Sequence, residues 1–440
     1  MVSQQKYQNK KVAIYGMGST GLSAAKRFKK LKAEIYCWDD SEQRRNEIKK
    51  LKIPISKFWL RPRSVDQILI SPGIDINKCK IKKYLKKNLS KVITDLDLFF
   101  ETNKDSLMIS ITGTNGKSTT CKIIEKILKM DGRNVKTLGN IGNPVLSINK
   151  FKKKCIFILE VSSYQLEYSK IFHSKHAAVL NISPDHLERH KNIKNYIKIK
   201  SKIFLGQKKS DYSYLNKSNQ HTYLIKNILK KNKIKSNLIL VHKHNCNFLL
   251  KKVNNSYFKS KGNLENLSFA FTVAKKLKIS NKVIIKAINK FKPLKHRQEI
   301  VFSKNRIICI NDSKATSFDA TLQSLSNYNN IYWIVGGLPK AKDKFFLKDI
   351  KKNVVKAYII GKNINFFKKK IEKDIFYKVS KSLKHALNDI LNDIKNSKNK
   401  KHTILLSPAA ASFDQFKNFE ERGVNFKNLV FEKFKRKSNV

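Results

Sequence analysis

Gly113-Thr114-Asn115-Gly116-Lys117-Ser118-Thr119 joins an apolar run, Met108 to Thr112, to a helical pattern over Ser118 to Met130. A phosphate-binding loop needs that context. Glycines let backbone N–H groups face phosphate oxygens, and a helix N-terminus favours anions. Lys117 can reach the β- and γ-phosphates, and Ser118 or Thr119 can ligate Mg²⁺. The spacing is shorter than the common G-x-x-x-x-G-K-[ST] loop, because Ile111 stands where the first Gly would be. The competing reading is a glycine turn with a surface lysine, and the strand and helix on either side weigh against it. Glu160 follows a second apolar run, Cys155 to Leu159. Mg²⁺ prefers oxygen ligands and usually takes one or two carboxylates, so Glu160 beside a phosphate loop is a candidate metal ligand. Alone it would be an ordinary strand-end carboxylate. Near the N-terminus, Gly16-Met17-Gly18-Ser19-Thr20-Gly21 fits G-x-G-x-x-G, with Asp39 about twenty residues on, a pattern that by itself predicts a dinucleotide site. No dehydrogenase catalytic set follows it.

The elements that must position these residues repeat a strand–helix rhythm. Lys11 to Tyr15, Ala33 to Trp38, Gln67 to Ile70 and Val92 to Thr94 read as strands, with a helix over Leu22 to Leu31. In a second block, Met108 to Thr112, Cys155 to Leu159 and Ala177 to Asn181 read as strands, and Leu264 to Leu277 as a helix. A third block begins near Glu299, with strands at Ile307 to Ile310, Ile331 to Val335, Val354 to Ile360 and Thr403 to Leu406. Ser210 to Asn255 is rich in Lys and Asn and gives no clear pattern. Repeated βα units imply open, mainly parallel sheets, with ligand sites at the carboxyl ends of the strands. The chain is thus expected to be α/β, with three domains over residues 1–104, 105–298 and 299–440.

Composition agrees. At 440 residues the chain is too long for one core, and 41% apolar residues suffice to fill about three. The formal net charge of +61 taken alone suggests nucleic acid or an anionic membrane. The excess is nearly all Lys, spread from end to end with Asn and Ile, and no nucleic-acid-binding signature accompanies it. Specific nucleic-acid binding is therefore not expected. Six scattered cysteines without a CxxC pair argue for reduced, unliganded thiols in a cytoplasmic protein. No signal-peptide core and no apolar run long enough to span a membrane is present.

Strand, G-T-N-G-K-S-T and helix in that order resemble the Mur ligase family and its relative folylpolyglutamate synthase, and further motifs follow in family order. Glu160-Val161-Ser162-Ser163-Tyr164-Gln165-Leu166 resembles E-x-S-S-x-Q-L, and Asn181 to His190 resembles N-x-x-x-D-H-x-x-R/H. Leu138-Gly139-Asn140-Ile141-Gly142 resembles the family's G-N-I-G loop. Gly262-Asn263-Leu264-Glu265-Asn266 resembles H-N-x-x-N, with Gly262 where His is expected. Leu294 to Glu299 resembles P-H-R-x-E, with Lys295 in place of Pro. Asn311-Asp312-Ser313-Lys314-Ala315-Thr316 matches N-D-S-K-A-T, and Gly336-Gly337-Leu338-Pro339-Lys340 resembles a lysine-bearing glycine turn. Leu406 to Gly423 looks like the corresponding run in the family's D-glutamate-adding branch.

The resemblance implies an N-terminal Rossmann-like domain, a central P-loop ATPase-like domain and a C-terminal Rossmann-like domain. It implies an ATP- and Mg²⁺-dependent carboxylate–amine ligase acting through an acyl-phosphate, with UDP-N-acetylmuramoyl-L-alanine, D-glutamate and ATP as substrates, and a monomer. Lys117, Glu160, His186, Lys200 and Lys314 would be catalytic. Gly113 to Thr119, Asn266, Arg297 and Asp312 would bind ATP. Ser19 and Thr20 would meet the pyrophosphate, and Asp39 and Asp40 the uracil. Ser71, Pro72, Gly73, Asn140, Ser162, Gln165 and His186 would complete the UDP-substrate site. Thr316, Lys340, Ser412, Phe413 and Phe419 would hold D-glutamate, simple core packing being the other reading of the two phenylalanines. Ser118, Glu160, His186 and an N-carbamylated Lys200 would hold metal, with Lys198 and Lys202 competing for the carbamate. A sister ligase or folylpolyglutamate synthase is the nearest alternative. An NAD-dependent oxidoreductase and a nucleic-acid-binding protein are more distant ones.

Overall fold

The computed structural model describes residues 2–60, 65–140, 143–148, 155–304, 306–340, 343, 345–348, 350–397, 399 and 401–435. Ile141 and Gly142 of the G-N-I-G run lie outside them. Three sheets carry the chain. The N-terminal sheet comprises β1 (Lys11–Tyr15), β2 (Glu34–Trp38), β3 (Gln67–Ile70) and β4 (Val92–Ile93), in spatial order β2-β1-β3-β4, all parallel. The central sheet comprises β5 (Met108–Thr112), β6 (Val135–Gly139), β7 (Ile156–Glu160), β8 (His176–Val179), β9 (Tyr212–Asn216) and β10 (Asn237–Val241). Its order is β10-β9-β8-β5-β7-β6, again parallel throughout. The C-terminal sheet runs β11-β12-β16-β13-β14-β15, from β11 (Glu299–Lys304), β12 (Ile307–Asn311), β13 (Ile331–Gly336), β14 (Val354–Ile360), β15 (Tyr377–Lys381) and β16 (His402–Leu406). Only its edge strand β11 is antiparallel. This is the expected three-domain, mainly parallel α/β architecture.

The inner strands form where the sequence offers short, mainly apolar runs, because a parallel sheet covered on both faces buries its central strands. β5, β7, β13 and β16 are buried along their whole length. The stretch from Ser210 to Asn255, unclear from its sequence, supplies β9, a helix over Thr222–Lys231 and the edge strand β10.

The chain divides into two compact units, Met1–Lys259 with Asn263–Phe291, and Ser260–Gly262 with Lys292–Val440. The first holds the N-terminal and central sheets. Their helices α1 (Ser19–Lys30), α2 (Asp95–Thr102), α3 (Lys117–Met130), α4 (Ser163–Glu167) and α5 (Ile193–Ser201) position most of the chemistry. One core cluster runs between the two sheets through Phe28, Leu96, Phe99, Phe157 and Phe204. Phe99 meets Phe157 edge-to-face at 5.1 Å, a geometry worth about 1 kcal/mol beyond the area it buries. The second unit carries apolar clusters on both faces of its sheet, around Trp333 and Tyr358, and ends in α6 (Phe419–Lys435). Among the described residues no helix is long and apolar enough to cross a membrane.

Candidate active site

The loop expected to bind phosphate leaves β5 and enters α3 through two glycines with positive φ, Gly113 (152°) and Gly116 (82°). Left-handed backbone is open to glycine at little cost. Asn181 braces the loop: the Asn115 N–H donates to its Oδ1 at 2.8 Å and the Thr114 N–H to its carbonyl at 2.9 Å. The Lys117 ammonium donates to the carbonyls of Gly113 (2.9 Å) and Thr114 (2.7 Å). Ser118 and Thr119 open the buried side of α3.

Glu160, at the end of β7, is 1% exposed and meets that loop. Its Oε2 accepts from Ser118 Oγ at 2.6 Å, and its Oε1 accepts from Asn140 Nδ2 at 3.0 Å. A buried carboxylate beside a hydroxyl at a phosphate loop is the oxygen-rich donor set a hard dication prefers. The residues present therefore fit Mg²⁺, although among the described residues no group of three or more His, Cys, Asp and Glu is arranged to hold a metal.

Lys200 reaches the same loop from α5. It is 1% exposed, and its ammonium donates to Gly113 O at 2.9 Å and Thr112 Oγ1 at 3.3 Å. Burial, and next the charge of Lys117, push its ammonium well below the usual lysine range. Its two competitors sit elsewhere. Lys198 is exposed, and Lys202 is half-buried against the Glu167 carbonyl at 2.6 Å. His186 has left-handed backbone (φ 54°). Its Nδ1 lies 2.9 Å from the Tyr164 hydroxyl and its Nε2 3.4 Å from Asp185.

A cavity of about 560 Å³ lies between the N-terminal and central sheets. It gathers nine residues expected at the UDP-substrate site: Ser19, Thr20, Asp39, Ser71, Pro72, Gly73, Asn140, Ser162 and Gln165. Neither Asp40 nor His186 lines it. Asp39 and Asp40 are adjacent at the end of β2 and engage different partners. Asp39 accepts from the Met17 and Ser41 N–H groups (2.6 and 2.9 Å), whereas Asp40 accepts from the Tyr15 hydroxyl and the Trp38 indole (2.6 and 3.3 Å). The glycine turn is closely built, since a Cβ on Gly21 would fall 2.0 Å from the Gly16 carbonyl. Asp95 and Tyr164 are among the seven further wall residues, and neither belonged to the sequence-derived site. A carboxylate just past a parallel strand was the available signal for Asp95.

Asn266 packs on the phosphate loop. Its Oδ1 accepts from Thr120 Oγ1 at 3.2 Å, and a Cβ on Gly116 would lie 2.2 Å from that oxygen. Asn263 donates to the Tyr257 carbonyl at 3.1 Å.

In the C-terminal unit, Asp312 accepts from Ser324 Oγ (2.5 Å), Ser407 Oγ (3.0 Å) and the Gln298 N–H (3.2 Å). Burial pushes its carboxyl up to about 6 against those hydrogen bonds. Arg297, Lys314, Thr316 and Lys340 are half-buried, and Ser412 is buried. Phe413 is 70% exposed, so core packing does not account for it. Phe419 is half-buried at the start of α6. Arg422, also missed in the sequence, is buried on the same helix. Its Nε donates to Ser313 Oγ (2.9 Å) and its Nη2 to the carbonyls of Ser313 (2.8 Å) and Ala410 (3.0 Å). It thereby ties the N-D-S-K-A-T loop to the loop before Ser412.

Comparison with known proteins places the chain in a family. A Mur ligase middle domain matches residues 111–285, and a Mur ligase MurD-like N-terminal domain matches residues 10–93. A protein of Rickettsia prowazekii named UDP-N-acetylmuramoylalanine--D-glutamate ligase is 34% identical, over 96% of this chain and 98% of its own. A protein of the same name from Wolbachia sp. subsp. Brugia malayi is 32% identical, over 98% and 97%. Among solved structures, MurF ligase from Thermotoga maritima in complex with ADP superposes with a TM-score of 0.58 at 14% identity, covering 98% of both chains, a likeness of fold. The chain belongs to the Mur ligase family, beside relatives named UDP-N-acetylmuramoylalanine--D-glutamate ligase.

Proposed function

We propose that this protein joins D-glutamate to UDP-N-acetylmuramoyl-L-alanine at the expense of ATP, in the cytoplasmic assembly of peptidoglycan precursors. The observation that carries the reading is the hydrogen-bonded series Ser118–Glu160–Asn140. It links the phosphate loop to the wall of the 560 Å³ cavity, so a nucleotide on one and a UDP-sugar in the other would bring a γ-phosphate near a substrate carboxylate. The names of the full-length relatives support the choice of amino acid.

A carboxylate does not acylate an amine directly. Its oxygen attacks the γ-phosphorus, ADP leaves, and an acyl-phosphate results. The amine of D-glutamate then attacks the acyl carbon, inorganic phosphate leaves, and the nitrogen loses a proton. Such a reaction relies mainly on positioning and charge neutralisation. Gly113 to Thr119 would cradle the phosphates, with Lys117 neutralising charge on the transferred group. Ser118, Glu160, a carbamylated Lys200 and His186 would hold Mg²⁺, which supplies further charge neutralisation when bound. Ser19, Thr20, Asp39, Ser71, Pro72, Gly73, Asn140, Ser162 and Gln165 would orient the UDP-sugar. Asp312, Arg297 and Lys314 would serve the nucleotide and the phosphoryl group. Thr316, Lys340, Ser412, Phe413 and Phe419 would hold D-glutamate. On this reading residues 1–104, 105–298 and 299–440 are the UDP-substrate, ATP and amino-acid domains.

The test is phosphate release by purified protein with ATP, Mg²⁺ and UDP-N-acetylmuramoyl-L-alanine, adding D-glutamate, L-glutamate, L-lysine or meso-diaminopimelate in turn. Release dependent on D-glutamate alone is expected. Release with another amino acid would move the protein to a sister activity, and none with any would sink the reading.

A further inference from the structure

Asp95, the first residue of α2, is 1% exposed and lines the 560 Å³ cavity beside Gln165 of α4. Its Oδ2 accepts from Gln165 Nε2 at 2.9 Å and its Oδ1 from the Leu96 N–H at 3.1 Å. The other end of the Gln165 amide is also committed. Its Oε1 accepts from the N–H and the hydroxyl of Ser162, both at 3.1 Å. The two ends fix the orientation of the amide. Flipping it would set an amide oxygen against a carboxylate oxygen and an NH₂ group against the Ser162 N–H, leaving both without complementary partners. One Nε2–H serves Asp95; the second has no partner among the described residues, and Gln165 lines the cavity.

Asp97 holds this arrangement in register. It is fully buried, and its Oδ1 accepts from Ser169 Oγ (2.8 Å) and from the N–H groups of Lys170, Ile171 and Phe172 (3.0, 3.0 and 3.2 Å). The segment that follows α4 is thereby pinned to the same helix that carries Asp95. A cavity expected to receive a polyanion gains nothing from a bare carboxylate in its wall. One whose two oxygens both accept from protein donors acts through those donors instead.

We infer that Asp95 is a positioning residue, which holds the Gln165 amide so that the cavity offers its UDP-sugar substrate a hydrogen-bond donor there rather than an acceptor. The inference rests on the proposed ligase activity. The group recognised is an acceptor, such as an amide carbonyl of the sugar's acyl arm.

The experiment compares Asp95→Leu, Gln165→Glu and the double swap Asp95→Asn with Gln165→Glu against the wild type, in D-glutamate-dependent phosphate release and in thermal unfolding. Asp95→Leu removes the acceptor and with it the fixed amide. Its KM for the UDP-sugar should rise about tenfold, the size of one hydrogen bond, with KM for ATP unchanged. In the double swap the amide now on α2 can donate to the carboxylate now on α4, and Ser162 keeps its acceptor, so the melting temperature should recover from that of Gln165→Glu. The cavity then faces an acceptor, and the raised KM should persist. A structural role alone predicts that the swap restores KM together with stability, and that result overturns the inference. So would a wild-type KM in Asp95→Leu, or a swap protein that does not fold. Absence of D-glutamate-dependent release by the wild type would instead count against the ligase reading.

Discussion

The Lys314 ammonium lies 3.7 Å from the centre of the Phe419 ring. The main chain secures both partners, with the Lys314 N–H donating to His296 O at 3.1 Å and Ser313 Oγ to Phe419 O at 2.9 Å. A partly desolvated cation over an aromatic face is held by about 1–2 kcal/mol. Phe419 thus supports the lysine proposed to meet the transferred phosphoryl group. Phe419→Leu keeps bulk and removes the π-face, and should lower kcat/KM for D-glutamate about tenfold. Phe419→Tyr should stay near the wild type. Steady-state kinetics at saturating ATP decide, and a fully active Leu variant would remove the ring from this role.

Lys200 is the one of three neighbouring lysines whose nitrogen reaches the phosphate loop. Burial favours its neutral amine, the form that adds carbon dioxide to give a carbamate and restores a negative charge beside the loop. Lys200→Ala should cost about a hundredfold or more in kcat, and added formate or acetate should return part of it. Lys198→Ala should leave activity within about twofold, as for a solvated surface residue. Full activity of Lys200→Ala without added carboxylate would sink the carbamate assignment.

The sequence made this site legible where local chemistry specifies the backbone. Gly113 and Gly116 both have positive φ, and β5 and β7 beside them are largely apolar and buried along their whole length because both faces of the sheet are covered. The edge strand β10 lacked such a run's context: Leu238 and Leu240 are exposed amid Lys and Asn, and only Ile239 and Val241 turn toward the core. The lysine register was open in the sequence because residues 198, 200 and 202 alternate without a pattern of their own. On α5 it is Tyr196, one turn before Lys200 on the same face, that turns inward with it. Asp95 and Gln165 stand 70 residues apart. Their bond depends on how two sheets pack, which no local spacing encodes. Arg422 and Ser313, 109 residues apart within the C-terminal unit, likewise meet only through tertiary packing.

Gly116 and Gly132 flank α3, both with positive φ (82° and 76°), in different surroundings. A Cβ on Gly116 would fall 2.2 Å from Asn266 Oδ1, whereas one on Gly132 meets nothing within 4 Å. Gly132→Ala should therefore cost only left-handed strain, about 1–2 kcal/mol of stability, with kinetics unchanged. Gly116→Ala must in addition displace Asn266 and reshape the phosphate loop, and its KM for ATP should rise at least about tenfold. Equal kinetic effects from the two substitutions would show that strain, and not the fit of Asn266 against the loop, governs this end of the helix.

Asp312 gives the C-terminal unit a pH signature. Burial raises its carboxyl from an ordinary 3.8 to about 6. A group whose folded value lies above its unfolded one contributes stability below the unfolded value and loses it as pH rises through the folded one. The ionised, buried carboxylate is thus a cost from about pH 6 upward, although Ser324 and Ser407 donate to it. The interval from 3.8 to about 6, at about 1.4 kcal/mol per pH unit, amounts to about 3 kcal/mol. Asp312→Asn does not titrate. Its melting temperature relative to the wild type should therefore climb between pH 4 and about 7, even as the substitution removes the proposed ATP contact and with it most activity. Scanning calorimetry of both proteins across that range measures the difference. A flat profile would mean that the three donors around Asp312, and not its burial, set its ionisation.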